Sequence, residues 1–256
     1  MIEIFRRRYL LSIREVYFSE GPSPCSTARD IDTYIQTSGS LLLKCSAFST
    51  LLIDLSSPAD SLFSCFSKAC RYEVRRSCEK DPVYCTVDFS PNPDLLKEFT
   101  DFYNQFASFR GVGMANIDKL RAFASRKALV VSYARDSTSN RTYSMHCYVT
   151  DGVRSRLYYS ATLPREPYGD KSNVDPQVVG RSNRQLHWRS MLAMKESGFL
   201  VYDFGGISNT TALKGIDDFK RQFGGAEVVE YNSQTPISFK GRVALFILRL
   251  YKMVAP

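Results

Sequence analysis

The residues best suited to chemistry lie near the end of the chain, between Gly198 and Gly225. Asp203 follows an apolar run and precedes Gly205-Gly206, which predicts a turn where the backbone passes close to another group. Lys220 lies on a short amphipathic segment that ends at Gly224-Gly225, where glycine supplies the left-handed residue of a helix cap. Two ionisable groups are thus expected beside tight glycine turns.

These residues are carried by a predicted strand, loop, helix and strand. The apolar run from Phe199 to Tyr202 predicts a buried strand, Ile216 to Phe223 a short helix, and Ala226 to Tyr231 a second strand. Most α/β proteins contain such a unit, so periodicity here indicates fold class and not function.

The exact residues of this unit are more specific. Tyr202-Asp203-Phe204-Gly205-Gly206-Ile207, with Phe219-Lys220 and Phe223-Gly224-Gly225 downstream, resembles the acyltransferase half of the Fem (FemABX-like) family. Fem enzymes are aminoacyl-tRNA-dependent peptidyltransferases that build peptidoglycan cross-bridges, and they share the fold of the GNAT acyltransferases. The resemblance implies a GNAT-like central mixed sheet with two splayed strands and flanking helices.

The element order beyond residue 82 agrees with this fold. The patterns predict a strand from Val83, helices 92–109 and 117–124, strands starting at Ala128, Thr142 and Arg156, a loop from Pro164 to Pro176, a helix from about Ser182 to Ser197, and the unit above. Periodicity alone predicts a mixed α/β (α+β) protein. We expect residues 82–256 to form the acyltransferase domain.

Residues 1–80 are expected to form a truncated N-terminal lobe of strands and a basic helix. The segment from Ile4 to Phe18 fits either a strand or a basic helix. Cys70 to Lys80 resembles an Arg/Lys-rich helix that closes the first lobe of Fem proteins, although a solvated basic helix fits equally well. We take Tyr34, Arg71 and Arg75 as candidates for acceptor binding.

The resemblance also implies where a donor would bind. In GNAT-like folds the fourth and fifth strands splay apart and the helix between them offers its N-terminus to phosphate. Here the strands would be 156–162 and 199–204, and the loop 177–183 resembles the acyl-CoA signature Gln/Arg-x-x-Gly-x-Gly/Ala, with serine as a departure at the last position. The donor-binding candidates are Gln177, Gly180, Arg181, Ser182, Asn183, Arg184 and Phe219.

Four residues are candidates for catalysis. By resemblance Lys220, next to Phe219, falls where Fem proteins place a lysine that can stabilise an oxyanion or a phosphate. The attacking amine must lose a proton, for which His146, Tyr158 and Asp203 are candidates; a histidine has the most suitable unperturbed pKa. Asp203 could instead orient the glycine turn. Because aminoacyl esters are already activated, positioning without a dedicated base is an alternative.

Composition limits the partners. The formal charge of +8, with basic clusters at 6–8, 71–76, 154–165 and 181–189, favours tRNA, a nucleotide pyrophosphate or an acidic membrane surface. The apolar run from Val243 to Leu248 is too short to cross a bilayer, and no signal-like leader is evident, so we expect a cytoplasmic protein with peripheral membrane contact at most. Seven cysteines without a CxxC pair indicate neither disulfides nor a metal site, and no tightly bound cofactor is expected.

Three functions remain open. The first is an acyltransferase that moves an aminoacyl group from tRNA to an amino group of a cell-envelope glycan, a peptide or a small metabolite. The second keeps the fold but uses acyl-CoA as co-substrate. The third is a non-catalytic RNA-binding or scaffold protein that uses the same basic surface.

Overall fold

The computed structural model of the chain describes residues 1–38, 45–164 and 174–254. Most of the predicted loop from Pro164 to Pro176 lies outside the described residues, as does Arg165 of one basic cluster. The elements in chain order are β1 (Ile2–Arg8), β2 (Leu11–Tyr17), β3 (Ile31–Thr37), β4 (Cys45–Asp54), α1 (Ala59–Ser64), α2 (Lys68–Lys80), β5 (Val83–Asp88), α3 (Pro93–Arg110), α4 (Ile117–Ser125), β6 (Leu129–Asp136), β7 (Thr142–Thr150), β8 (Arg154–Thr162), α5 (Pro176–Glu196), β9 (Val201–Gly206), α6 (Lys214–Arg221), β10 (Ala226–Pro236) and α7 (Phe239–Val254).

The order from β5 to β10 is the predicted one, and the mixed α/β fold class is confirmed. The segment from Ile4 to Phe18 contains two strands joined at Tyr9 and Leu10, where Tyr9 has a left-handed φ of 54°. Among the described residues, no helix combines the length and the hydropathy that crossing a membrane requires.

The chain divides into two compact units, residues 1–49 with 228–256, and residues 50–227. This division differs from the boundary expected near residue 81, because α1 and α2 lie in the larger unit. Cys70 and Val74 of α2 belong to its main apolar cluster, and Ser77 of α2 donates a hydrogen bond to Gln185 of α5.

The sheet of the larger unit has the order β4-β9-β8-β7-β6-β5. Every neighbouring pair is antiparallel except β8 and β9, which α5 connects as a crossover. The central strand β7 is buried at eight of its nine positions, because helices pack on the sheet on both sides of it. Its alternation directs His146 and Tyr148 toward one face.

The pairing of β8 with β9 stops after three residue pairs, the last of which joins Arg156 to Asp203. On its other side β8 carries a bulge: Cys147 pairs with Tyr159 and Tyr148 with Leu157, so Tyr158 is an extra residue. A bulge bends its strand and increases the local twist. Ladder pairing of β8 with β9 therefore ends at Arg156, although the Leu157 carbonyl oxygen still lies close to Gly205, and the rest of β8 pairs with β7 alone. An end of pairing at this point agrees with the splay that the resemblance implied.

The smaller unit has a sheet of order β1-β2-β3-β10, with β2 and β3 parallel and the other pairs antiparallel. Its apolar core is small, with Ile13, Ile31 and Leu245 of α7 at its centre. Gly241 of α7 has no room for a side chain, because a Cβ there would lie 2.0 Å from the Asp30 carbonyl oxygen. The helix therefore packs directly against the backbone that precedes β3.

Candidate functional site

A cavity of about 640 Å³ lies in the larger unit, at the carboxyl end of β8 and the first two turns of α5. The described residues on its wall come from α3, the end of β8, the start of α5, and α6: Phe106, Phe109, Arg110, Thr162, Leu163, Pro164, Val174, Pro176, Val179, Gly180, Asn183, Arg184 and Phe219. Four of the donor-binding candidates, Gly180, Asn183, Arg184 and Phe219, are thus brought together.

The phosphate-binding loop expected at residues 177–183 is a helix. α5 begins at Pro176, six residues before the predicted start at Ser182, and Asp175 caps it by accepting a hydrogen bond from the Gln177 amide at 2.8 Å. Asparagine or aspartate before proline is a frequent helix start, since proline needs no hydrogen-bond acceptor in the first turn. Gly180 therefore lies within the helix, and Gln177 is exposed in its first turn.

Two of the donor-binding candidates are occupied elsewhere. Arg181 is 5% exposed and forms a bidentate ion pair with Asp81, with Nε and Nη2 donating at 2.7 and 2.8 Å. Ser182 is buried and donates to the Val179 carbonyl oxygen. Because α5 places these side chains away from the cavity wall, neither is part of a donor site in this structure.

Phe219 forms the centre of an aromatic and cationic group beside the cavity. The guanidinium of Arg184 lies 5.0 Å from the centre of the Phe219 ring, and the ring of His187 lies 5.6 Å from it on another side. Arg184 also donates to Gln222 at 3.2 Å. The cation and the ring hold each other in place at the wall.

The two histidines of the chain meet beneath this wall. Their rings, from β7 and α5, lie 4.1 Å apart, and both are fully buried. His146 bonds Asn183 through Nε2 at 2.8 Å and Tyr148 through Nδ1 at 3.0 Å. The chain of hydrogen bonds continues from Tyr148 to Tyr202 at 3.0 Å and from Tyr202 to His187 at 2.7 Å.

The donor and acceptor of each hydrogen bond in this series follow from the bond at one end, between His146 and Asn183. Burial lowers the pKa of His146 to about 4, so the ring is neutral, and its Nε2 must donate to the Asn183 Oδ1. The Nδ1 of His146 then accepts a hydrogen bond from the Tyr148 hydroxyl. The Tyr148 oxygen in turn accepts from the Tyr202 hydroxyl, and the Tyr202 oxygen accepts from the Nδ1 hydrogen of His187. Burial also lowers the pKa of His187. The network therefore fixes the Asn183 side chain at the cavity wall.

Lys220 follows Phe219 but is not among the residues that line the cavity. Its Nζ donates to the Gly206 carbonyl oxygen at 2.5 Å, at the carboxyl end of β9. Burial lowers the pKa of the ammonium, while Asp217 and Asp203 raise it. The lysine thus lies, partly shielded from water, beyond the point where β9 stops pairing with β8.

Asp203 has a positioning role. Its Oδ1 accepts hydrogen bonds from Thr50 and from the Gly205 amide at 2.5 and 2.7 Å, and its Oδ2 accepts two from Arg154 at 3.0 and 2.6 Å. The carboxylate is fully buried. It orients the glycine turn, as the second interpretation of the sequence anticipated, and offers no open oxygen for proton transfer.

Tyr158 is the bulged residue of β8, and its side chain lies away from the cavity. Its ring packs on Phe123 of α4 at 5.8 Å and on Tyr159 at 4.7 Å, with the Lys119 ammonium 5.3 Å from its centre. The bulge places two successive tyrosines on the same side of the sheet. Tyr158 therefore shapes the splay and does not reach the cavity wall.

The three candidates for acceptor binding are in structural positions. Tyr34 belongs to the smaller unit, where it is 3% exposed and accepts a hydrogen bond from the Ser23 amide. Arg71 donates to carbonyl oxygens at the end of α1, including that of Ser64 at 2.8 Å. The Arg75 guanidinium lies 5.3 Å from the Phe63 ring.

Sequence analysis missed His187, Tyr148 and Tyr202 as parts of the site, although a signal was present. His146 and Tyr148 are two apart on a predicted strand and so share a face, and Asn183 and His187 are four apart on a helix. That these two faces meet depends on contacts between distant segments.

No family model matches the sequence, and no curated protein matches it. Solved structures do match. The chain is similar to the C-terminal domain (DUF2156) of a putative lysylphosphatidylglycerol synthetase from Agrobacterium fabrum, with a TM-score of 0.59 and 12% identity over 97% of this chain and 85% of that one.

Two further structures share the fold. FemX matches with a TM-score of 0.56 and 14% identity over 80% of this chain, which spans 63% of the FemX chain. L-PGS from Bacillus licheniformis matches with a TM-score of 0.52 and 11% identity over 86% of this chain and 72% of that one. The chain thus shares the fold of FemX, as the residues around Asp203 implied.

Proposed function

We propose that this protein is an aminoacyltransferase that moves an aminoacyl group from tRNA to an amino group of a cell-envelope glycan, a peptide or a small metabolite. The observation that carries the proposal is the cavity at the carboxyl end of β8, where that strand no longer pairs with β9 and where Asn183, Arg184 and Phe219 form the wall. The transferase fold of the structural neighbours supports the same class of reaction.

In the reaction the acceptor amine attacks the carbonyl carbon of the aminoacyl ester. The bond from that carbon to the ribose oxygen of tRNA breaks, and a proton of the amine ends on the released hydroxyl. Lys220 does not line the cavity itself, but it follows the wall residue Phe219 and only one of its ammonium hydrogens is needed for the Gly206 carbonyl oxygen. We assign its other hydrogens to the oxyanion of the tetrahedral intermediate. The Oδ1 of Asn183 is held by His146, and no residue of the described ranges accepts a hydrogen bond from its Nδ2. We assign the Nδ2 hydrogens to the donor's carbonyl group.

We assign no general base. His146 and His187 are buried and their pKa values are lowered by burial, so neither exchanges a proton with substrate directly. Asp203 is engaged on both oxygens. An aminoacyl ester is already activated, so positioning by the cavity wall suffices.

The choice of tRNA over acyl-CoA rests on the start of α5. A CoA pyrophosphate would need free amides and a positive helix end, but the Asp175 carboxylate already caps this helix. Arg181, which could have added charge there, is paired with Asp81. Arg184 and Arg110 remain on the cavity wall as cations for a terminal nucleotide phosphate.

The donor is tested by calorimetric titration of the purified protein with a non-hydrolysable aminoacyl-RNA minihelix, the same minihelix without its aminoacyl group, and acetyl-CoA. We expect the aminoacyl form to bind most tightly, and Arg184→Ala to weaken its binding about tenfold to a hundredfold, since a hydrogen bond to a charged group contributes about 1.5–3 kcal/mol. Arg189→Ala is the matched control, because Arg189 is exposed on the same helix and does not line the cavity.

Saturation by acetyl-CoA alone would replace the proposal with an acyl-CoA-dependent acyltransferase. If both minihelices bind equally well and the wild type shows no transfer activity, the result would favour a non-catalytic RNA-binding protein. Where transfer to an amine is observed, Lys220→Met is expected to lower it by about a hundredfold or more, as the loss of an oxyanion contact does.

A further inference from the structure

The C-terminal helix α7 presents an apolar stripe to the outside of the smaller unit. Five of its residues form what we call the outer stripe: Phe239, Val243, Phe246, Ile247 and Leu250, whose side chains are 80, 43, 61, 59 and 47% exposed. Their spacing of four, seven, eight and eleven residues from the first puts them on one face of the helix. So many large exposed apolar side chains on one face mark an interaction surface.

The outer stripe lies away from the side of α7 that forms the core of its own unit. The opposite side of α7 already packs on the sheet, where Leu245 joins Ile13 and Ile31 in the core and Ala244 lies against it. Gly241, on the same side, is in close contact with the Asp30 backbone. The helix thus has one apolar side that fills the core and a second that does not.

The hairpin between β1 and β2 adds to the same part of the unit. At its tip Tyr9 and Leu10 are 91 and 87% exposed, and the adjacent Arg7 and Arg8 are exposed as well. Leu11, the next residue, packs on the core cluster that contains Leu245 of α7. The apolar tip and the outer stripe therefore belong to neighbouring elements.

The charge around these apolar groups is positive. Lys240 and Arg242 are exposed on α7, and residues 231–256 contain no aspartate or glutamate. The acidic side chains nearby are engaged inside the unit. Asp30 accepts hydrogen bonds from Ser238 and from the Ser12 amide and lies 4.0 Å from the Lys240 ammonium, and Glu15 accepts from Arg6 and Tyr17.

We propose that the outer stripe and the hairpin tip bind the surface of an anionic lipid bilayer, with α7 lying in the plane of the interface. A helix with an exposed apolar face and flanking basic residues binds such a surface through both apolar burial and charge. A second copy of the chain fits less well, because a symmetric contact through the stripe would bring the Lys240 and Arg242 side chains of both copies together.

The test is co-sedimentation of the purified full chain with vesicles of phosphatidylglycerol or of phosphatidylcholine, without any donor or acceptor. Binding is expected with phosphatidylglycerol and is expected to weaken with salt. Phe246→Ser with Ile247→Ser should abolish it. Arg7→Gln with Arg8→Gln should weaken it about fivefold per arginine, from about 1 kcal/mol for each basic residue at a membrane surface.

The control is Val153→Ser, which replaces an exposed apolar residue of the larger unit. This variant should bind vesicles as the wild type does. Circular dichroism melting of each variant shows that folding is retained. The proposal is overturned if the wild type stays in the supernatant with phosphatidylglycerol, if the serine pair binds unchanged, or if light scattering finds a dimer that the serine pair dissociates. These results do not depend on transfer activity, so they are separate from the test of the proposed function.

Discussion

The buried state of His146 makes stability depend on pH in a way that can be calculated. Burial lowers the pKa of the folded-state imidazole to about 4, whereas an unfolded histidine titrates near 6.5. Between these values the unfolded chain binds a proton that the folded chain does not, so the free energy of unfolding falls as the pH falls through 6.5. The difference of about 2.5 pKa units corresponds to about 3 kcal/mol, lost in full near pH 4.

The assay is urea unfolding of the wild type and of His146→Gln, followed by circular dichroism, at a series of pH values from neutral to about pH 4.5. Carboxylates titrate in both proteins, so the difference between the two curves reports His146 together with its effect on His187, whose pKa is lowered mainly by burial and further by the neighbouring His146. At neutral pH the wild type should be the more stable, because it keeps the hydrogen bonds to Asn183 and Tyr148. This advantage should shrink by about 2–3 kcal/mol toward the acid end.

A constant difference across the series would refute the reasoning. It would mean that the His146 imidazole takes up a proton as easily in the folded protein as in the unfolded one, and that the network beneath the cavity is open to water. Nitrogen NMR of the ring gives an independent check, since the direction of the hydrogen-bond chain requires the proton on Nε2.

Three further outcomes are expected. Asp203→Asn should lower the free energy of unfolding by about 3–5 kcal/mol, because it removes the negative charge from a buried ion pair with the largely buried guanidinium of Arg154. Gly225→Ala should destabilise by more than about 1 kcal/mol, since the backbone there has a φ of +92° and a Cβ would lie 2.5 Å from the Leu52 carbonyl oxygen. Cys147 should resist iodoacetamide in the folded protein, because it is buried and burial raises the pKa of its thiol.

Each of these has a matched control in the chain. Asp101→Asn removes an exposed ion pair with Lys97 and should cost less than about 1 kcal/mol. Gly113→Ala adds a Cβ with nothing within 4 Å and should be nearly neutral. Cys65 is exposed and should be alkylated readily. A control that changes as much as its partner would show that burial and geometry do not explain the effect.

Much of the larger unit could be predicted from sequence because its helices and strands are indicated by the spacing of apolar and turn residues within each segment. The order of strands and helices from Val83 onward, and the glycine turn after Asp203, follow from periodicity and turn residues. α5 begins earlier than predicted, because the spacing of Gln177 and Gly180 resembles that of a phosphate loop. Asp175 followed by Pro176 is the stronger local signal, and it marks the true helix start.

The parts that could not be predicted depend on contacts between distant residues. The hydrogen bond from His146 to Asn183 joins a strand to a helix 37 positions away, and nothing in either segment alone indicates it. The same holds for Arg181, whose engagement by Asp81 spans 100 positions and removes it from the donor site. Residue type identified these side chains as candidates, but only packing decided which face the cavity.

The smaller unit is discontinuous, and this has a consequence for biosynthesis. β3 pairs with β10 through contacts such as that of Gln36 with Glu230, which are 194 positions apart. Loops this long are slow to close, so such pairings form late in folding. On the ribosome the larger unit can be complete while β1 to β3 still lack the strand that covers their edge. The nascent chain therefore exposes an unpaired strand until β10 emerges, and chaperones that shield sheet edges should matter most during that interval.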